Sequence, residues 1–451
     1  MAVLAAAGLL GFRVLRPAEV STTVWPGYPP VTLTAPALTG ALTAAPLVVA
    51  DGRLRIFAAA RQLRADPVDA RSQRSARWSY RRWPARLVGV AAAGEAVLSR
   101  WSDGALVALD APTGRVRWRS SGPPPVDGGP AWRRTGVTVL FEPVGLWTAR
   151  SAGGGTVLAA GGGRVAAYRV ADGGRLWTAT LDRCHAGGFT TAAGEFVVLD
   201  SCADRPELVV RDAATGLPRL RWRPPSSGGA LSAGGGSAGG GSSAGGGSSA
   251  AATPSPGGAP SPEAGHSPAA ATADPLEITP LGCAAHRSGC TAVRVGTRSG
   301  PRGWLLDGPA PAAAPALDPP STWRAGPVAV PAATSADELT ARAVADGAAR
   351  WTWRASAAGP ARRATVVGVS AAAVHLLTGD RWLVTLDAAT GRVVSRVRLV
   401  NARAPDTDWR PGGVHVRGRF VVIERLRADA RPDDPDESYY EGIFPVLLTQ
   451  T

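Results

Sequence analysis

Cys283, His286 and Cys290 stand as C-x2-H-x3-C, a spacing at which thiolates and an imidazole can meet a zinc ion. A structural zinc wants four ligands, and the remaining cysteines, Cys184 and Cys202, lie far upstream. The cysteines fall instead into two local pairs, 18 and 7 residues apart, which read as two disulfides, although four cysteines allow three connectivities. Disulfides persist in oxidising compartments, so the pairing points outside the cytoplasm. A second cluster, Asp433, Asp434, Asp436 and Glu437, runs into Tyr439-Tyr440. Carboxylates this dense suit calcium, but Pro432, Pro435 and the missing loop glycine depart from the calcium-loop pattern. The segment reads as a solvated loop whose exposed aromatic pair beside charge gives it the composition of a partner-binding patch. Gly235-Gly236-Ser237-Ala238-Gly239 matches the nucleophile elbow G-x-S-x-G, yet it sits in low-complexity sequence with no strand before it and no helix after. The chain has no lysine, which excludes a Walker phosphate loop. Its five histidines (185, 266, 286, 375 and 415) show no H-x3-H spacing, and His375, in an apolar strand, reads as a core residue. No catalytic, cofactor-binding or metal site is predicted.

The chemistry is sparse, but the elements repeat. Leu106 to Trp118 reads L-V-A-L-D-A-P-T-G-R-V-R-W, and the frame recurs. Leu383 to Ser395 keeps Asp387, Thr390 and Gly391, with Ser395 where the tryptophan would be. Val165 to Trp177 keeps Gly173 and the closing Trp177, and Leu339 to Trp351 keeps Gly347 and Trp351. Leu208 to Trp222 holds Asp212, Thr215 and Gly216 but inserts two residues before Trp222. Physically the frame is a hairpin: an apolar strand, a D-x-x-T-G turn in which Asp and Thr close onto the backbone and Gly takes a positive φ, and a second strand ending on a large aromatic. A second hairpin precedes most copies, as in Val97 to Leu106 around Asp103-Gly104, so the unit has four strands.

The aligned glycines Gly114, Gly173, Gly216, Gly347 and Gly391 are 59, 43, 131 and 44 residues apart. The long gap contains residues 225 to 274, almost wholly Gly, Ser, Ala and Pro, whose removal leaves room for two units. A period in the forties with four strands per unit is the signature of propeller blades, each burying its faces against its neighbours. The expected fold is therefore all-β: a single β-propeller of eight four-stranded antiparallel blades, with seven as the alternative. Residues 21 to 224 carry the first half and 275 to 451 the second, with 225 to 274 as an inserted loop too poor in large hydrophobes to order. Blades end near Trp78, Trp118, Trp177, Trp222, the Cys283 to Asp307 region, Trp351 and Ser395. The last unit, Val414 to Leu448, shows only three strands, so an N-terminal strand within Thr22 to Leu33 is expected to close the ring.

The segment Ala108 to Trp118 resembles the tryptophan-docking motif, A-x-D-x-x-T-G-K/R-x-x-W, of propellers of the pyrroloquinoline-quinone (PQQ) type. The resemblance covers most of the chain outside residues 1 to 20 and the low-complexity insertion. It implies structural docking roles for Asp110, Thr113, Gly114, Trp118, Gly173, Trp177, Asp212, Gly216, Trp222, Gly347, Trp351, Asp387 and Gly391. The motif marks fold rather than activity, because quinoprotein dehydrogenases and non-enzymatic scaffolds of outer-membrane protein assembly share it. The enzymes hold PQQ against a ring of two adjacent cysteines and bind calcium through carboxylates and an asparagine. This chain has no Cys-Cys and one asparagine, Asn401. The non-enzymatic branch is therefore expected, without cofactor, and a PQQ/calcium-dependent dehydrogenase acting on an alcohol or sugar is the alternative.

Arginine supplies the whole positive charge behind a net +14, beside 56 Gly and 39 Pro, so the basicity reads as compositional bias and no nucleic-acid partner is expected. Ten arginines between Arg53 and Arg86 form the densest basic stretch, read as a solvated rim with the alternative of a face held near anionic lipid. Ala2 to Phe12 is an apolar run too short to span a bilayer, and residues 1 to 20 read as the remnant of a signal or membrane anchor whose true start lies upstream. The expectation is a monomeric scaffold for other envelope proteins, membrane-anchored and facing the exterior, or secreted.

Overall fold

A computed structural model describes residues 18–30, 35–70, 76–125, 132–151, 153–181, 185–202, 207–224, 277–297, 300–333, 338–355, 364–400, 408–429, 431 and 439–451. Eight antiparallel sheets follow one another in sequence. Blade 1 is built on Pro46–Val49, Leu54–Ala59, Gln62–Pro67 and Trp78–Trp83, and blade 2 on Leu87–Ala93, Ala96–Trp101, Ala105–Asp110 and Val116–Ser121. Blade 3 runs from Leu146–Ser151 to Arg175–Thr180, blade 4 from His185–Thr190 to Pro218–Trp222, and blade 5 from Ile278–Leu281 to Ala312–Ala313. Blade 6 spans Thr322–Ala325 to Ala349–Arg354, and blade 7 Ala364–Val369 to Val393–Arg398. Blade 8 takes Trp409–Arg417, Phe420–Arg427 and Val446–Gln450 from the C-terminal end and Ala37–Leu42 from the N-terminal end as its outermost strand.

That last pairing, Ala37 opposite Gln450 through Leu42 opposite Val446, closes the ring. The closing strand lies beyond the window expected for it. The earlier segment Ala18–Thr22 instead pairs with Trp78–Trp83 and adds a fifth, outermost strand to blade 1. It is tied there by Thr22 to Ser79 and by a Glu19–Arg119 ion pair reaching blade 2. Its five residues are exposed, so no hydrophobic pattern marks which blade edge it should join.

The apolar core is divided among the seams between blades, which explains why the strands read as near-continuous hydrophobic runs. In blade 3, Val157, Ala159, Ala166 and Tyr168 pack toward blade 2, while Leu158, Ala160, Val165 and Ala167 pack toward blade 4. Side chains alternate across a strand, so a sheet buried on both faces needs apolar residues at every position. In blade 8, Phe420 and Val422 face blade 1 and Val421 and Ile423 face blade 7. First strands of successive blades touch one another, as in blades 2 and 3, 3 and 4, 6 and 7, 7 and 8, and 8 and 1, and so line the axis.

Arginines inside this core have a common task on the second strand of their blades. Arg100, fully buried, donates to the carbonyls of Val144, Gly145 and Pro123 at 2.8, 2.7 and 3.0 Å. Arg294 donates to Leu317, Pro320 and Thr322, Arg55 to Val68 and Ala70, and Arg425 to Phe444. A planar fork of donors satisfies several loop carbonyls at once, which a single ammonium does less well. Burial lowers the Arg100 pKa to about 10, still well above neutrality.

Candidate functional site

The recurring turns sit where the blades meet. Asp110 accepts hydrogen bonds from the Thr113 amide at 3.2 Å and the Thr113 hydroxyl at 2.5 Å, and the Gly114 amide closes onto the Asp110 carbonyl at 2.8 Å. Asp212 with Thr215 and Asp387 with Thr390 repeat the arrangement, and the Thr390 hydrogen bonds hold the Asp387 carboxyl below the usual range. Each turn glycine receives the tryptophan of the preceding blade. Trp78 lies over Gly114, Trp118 over Gly173, Trp177 over Gly216 and Trp351 over Gly391. Their indole nitrogens donate to the carbonyls of Ala111, Val170, Ala213 and Ala388 at 2.7 to 2.9 Å. A Cβ on any of these glycines would fall 2.5 to 2.6 Å from the ring, so the position needs glycine for space as well as for φ.

The exceptions follow the same geometry. Gly347 in blade 6 has nothing within 4 Å of a built Cβ, because the outermost strand of blade 5, Ala312–Ala313, carries no tryptophan. Ser395 closes blade 7 because blade 8 completes itself with the N-terminal strand and has no hairpin turn to receive an indole. In blade 4 the position opposite Val210, equivalent to that of Trp118 opposite Ala108, is Leu220. Trp222, two residues on, meets Trp304 of blade 5 edge-on with ring centres 4.7 Å apart.

Cys283 and Cys290 form a disulfide. Cys202 is disulfide-bonded, and Cys184 lies outside the described residues. Asp433, Asp434, Asp436 and Glu437 lie outside them as well, as do residues 225 to 276 and 1 to 17. Tyr439 and Tyr440 are buried, at 4% and 5% exposure, which corrects the expectation of an exposed aromatic pair. They pack on Leu426, and the Tyr440 hydroxyl lies 3.2 Å from that of Thr135, a residue far away in sequence. Of the ten arginines between Arg53 and Arg86, Arg71 and Arg74 lie outside the described residues, and Arg53, Arg81 and Arg86 are exposed. Arg55 is buried beside Asp66, Arg61 lies over Trp83, Arg64 over Phe57, and Arg82 pairs with Asp103. No helix among the described residues is long and apolar enough to cross a membrane.

Two insertions occupy the axis. The connection from blade 2 to blade 3 makes a short helix, Val137–Phe141, whose residues are all buried. It rests on the first strands of blades 1, 2 and 8, so closely that a Cβ on Gly413 would lie 2.7 Å from Val137. Thr135 and Arg133, just before it, bind the buried Glu424 of blade 8 at 2.7 and 3.0 Å. Arg100 grips both ends of the excursion through Pro123 and Val144-Gly145. The second insertion is the first turn of blade 5, bridged by Cys283–Cys290, which folds inward. Cys290 pairs in parallel with Thr191 of blade 4, Ser288 accepts from the Thr148 amide of blade 3, and Arg417 of blade 8 donates to Ala284. His415 stacks on Phe141 at 4.9 Å, and burial drives its pKa down to about 3.

Above this plug the axis opens into a funnel of about 850 Å³ on the face carrying the first turn of each blade. Arg150 and Arg417 line it among Gly, Ala, Ser, Thr, Val and Cys283, with no carboxylate among the described lining residues. The two arginines repel each other, and burial together with Arg150 lowers the pKa of Arg417. Sequence reasoning missed this site: its residues come from six blades, and of them Cys283 alone carried a chemical signature.

The protein-family model described as outer membrane protein assembly factor BamB, a model of PQQ-type repeats, matches residues 161–352. No curated protein matches the chain. Among solved structures, BamB from Moraxella catarrhalis is 13% identical with a TM-score of 0.40, over 96% of this chain and 100% of that one. Dihydro-heme d1 dehydrogenase NirN in complex with DHE is 14% identical with a TM-score of 0.42, over 90% and 73%. Chaetomium thermophilum Sqt1 bound to the N-terminus of the ribosomal protein L10 is 10% identical with a TM-score of 0.43, over 90% and 95%.

Proposed function

We propose that this eight-bladed β-propeller, whose residues 161–352 match a model of PQQ-type repeats, is a non-catalytic protein-interaction scaffold on the extracytoplasmic side of the cell envelope. The match to an envelope assembly factor over 161–352 supports the compartment and the class of role. The Cys283–Cys290 disulfide supports an oxidising environment.

The observation that carries the reading is the plugged axis. Enzymes of this repeat type hold quinone and calcium on the axis, whereas here the buried helix Val137–Phe141, resting on the first strands of blades 1, 2 and 8, and the disulfide-bridged turn fill part of it. These residues do not fit a planar quinone: the bridge joins cysteines seven residues apart rather than adjacent ones. No group of three or more His, Cys, Asp or Glu among the described residues could hold a metal. A propeller plugged along part of its axis offers its rims and the recess above the plug, and rims of radial loops are surfaces for proteins.

The discriminating experiment is titration of the purified chain with PQQ and calcium, followed by a dye-reduction assay over alcohols and sugars. Neither binding nor PQQ-dependent reduction is expected. Saturable PQQ binding with turnover would replace the scaffold by the dehydrogenase.

A further inference from the structure

Resting on the scaffold reading, we infer that the axial funnel receives an acidic peptide segment of a partner protein, with Arg150 and Arg417 as its carboxylate receptors. Four observations converge. The cavity of about 850 Å³ is large enough for a short run of side chains and opens across blades 2, 3, 4, 5, 7 and 8. Two guanidinium groups, from blades 3 and 8, line it with no carboxylate among the described lining residues, and an anion bound beside them relieves their mutual repulsion. Arg417 is partly sequestered, its one described contact a 3.3 Å bond to the Ala284 carbonyl. The remaining lining is of small residues, Thr148, Thr191, Ser288 and Ser370 among them, which leave room for the backbone of an extended peptide.

Among the described residues, none of the exposed large hydrophobic side chains, such as Trp25, Trp323 and Ile443, lines this cavity to offer an apolar anchor to a lipid surface. Next to it a second hollow, shared through Arg150 and Arg417, adds Arg53 and Arg419. That hollow also holds two carboxylates, Asp51 and Glu95, the latter engaged by the Tyr28 hydroxyl at 2.9 Å and by Arg117 at 3.7 Å, so its four arginines keep the balance of charge positive. Carboxylate recognition by clustered arginines is a recurring mode of peptide binding.

The test uses the full chain and fluorescein-labelled hexaglutamate, with hexaglutamine and phosphatidylglycerol vesicles as comparison probes, read by anisotropy and co-sedimentation at low and high salt. Hexaglutamate binding that weakens with salt, an inert hexaglutamine, and affinity about tenfold lower in Arg150→Gln and in Arg417→Gln are expected. Arg396→Gln, on the exposed outermost strand of blade 7, is expected to bind like the parent chain. Arg150 is itself exposed, so its variant tests the idea even if Arg417→Gln disturbs the disulfide-bridged turn. Absent hexaglutamate binding, equal binding of both peptides, insensitivity to both substitutions, or arginine-dependent binding of vesicles alone would each overturn the inference. Native crosslinks to partner proteins that persist in Arg150→Gln/Arg417→Gln cells would also overturn it while leaving the scaffold reading intact.

Discussion

Alanine at Gly391 and alanine at Gly347 look identical from the sequence and differ sharply in the structure. Both glycines hold φ near +71°, so each substitution carries the left-handed penalty of about 1–2 kcal/mol. At Gly347 that is the whole cost, since a Cβ there meets nothing within 4 Å. At Gly391 the new Cβ would lie 2.6 Å from Cδ2 and 2.8 Å from Cε3 of Trp351, an indole buried to 8% and hydrogen-bonded to Ala388 at 2.9 Å. The clash falls on a ring rather than a flexible chain end, and overpacking of this kind adds about 1–3 kcal/mol. Gly391→Ala is therefore expected to destabilise by about 2–5 kcal/mol against about 1–2 for Gly347→Ala. Urea titrations followed by tryptophan fluorescence and far-UV circular dichroism measure both. The double variant Trp351→Ala/Gly391→Ala supplies the coupling, because without the indole the glycine substitution should fall back to its φ cost. If Gly347→Ala proves as costly as Gly391→Ala, or if the double variant is additive, then the indole does not dock on the turn and the seam account fails.

Three further outcomes follow from the same packing. His375 and His415 are buried with Nε2 unpartnered among the described residues, and burial lowers their pKa from 6.5 to about 4 and about 3. Below pH 6.5 the unfolded chain takes up protons that the native one refuses, so stability is full above that pH and declines as the pH falls toward 4. By pH 5 the loss reaches up to about 2 kcal/mol per histidine, and denaturation midpoints across pH 5 to 8 that do not move would contradict this burial. Arg100→Met should cost about 3 kcal/mol by stranding three carbonyls, and hydrogen exchange should rise first in the helix segment it clamps. Cys283→Ser with Cys290→Ser should lower stability by about 2 kcal/mol and speed exchange at the Cys290 amide, which donates to Thr190 at 2.8 Å; unchanged exchange there would mean that the turn is held without its bridge.

The repeats were legible because their signal is local. Asp110, Thr113, Gly114 and Trp118 lie within one hairpin, and the spacing of their copies was enough to count eight blades even through blade 5, which lacks the turn. Ring closure was only half legible. Ala18–Thr22 and Ala37–Leu42 are both short segments near the N-terminus, and which one joins Val446–Gln450 depends on a partner at the other end of the chain. Tyr439 and Tyr440 are covered through Thr135 and Arg134, about three hundred residues earlier, so composition alone placed them outside. The axial plug was hidden for a similar reason. Val137–Phe141 is five residues of undistinguished apolar sequence, and the inward fold of the Cys283–Cys290 turn is set by Thr148, Thr191 and Arg417. Arg150 and Arg417 meet only because a ring brings blades 3 and 8 to one axis.

The scaffold role itself is tested most directly by crosslinking in cells. A photoreactive residue placed at Ser370, on the lip of the funnel, should yield one or a few discrete covalent protein adducts in the envelope fraction, identified by mass spectrometry. An envelope fraction in which that position captures no protein, with the chain folded and abundant, would contradict the account.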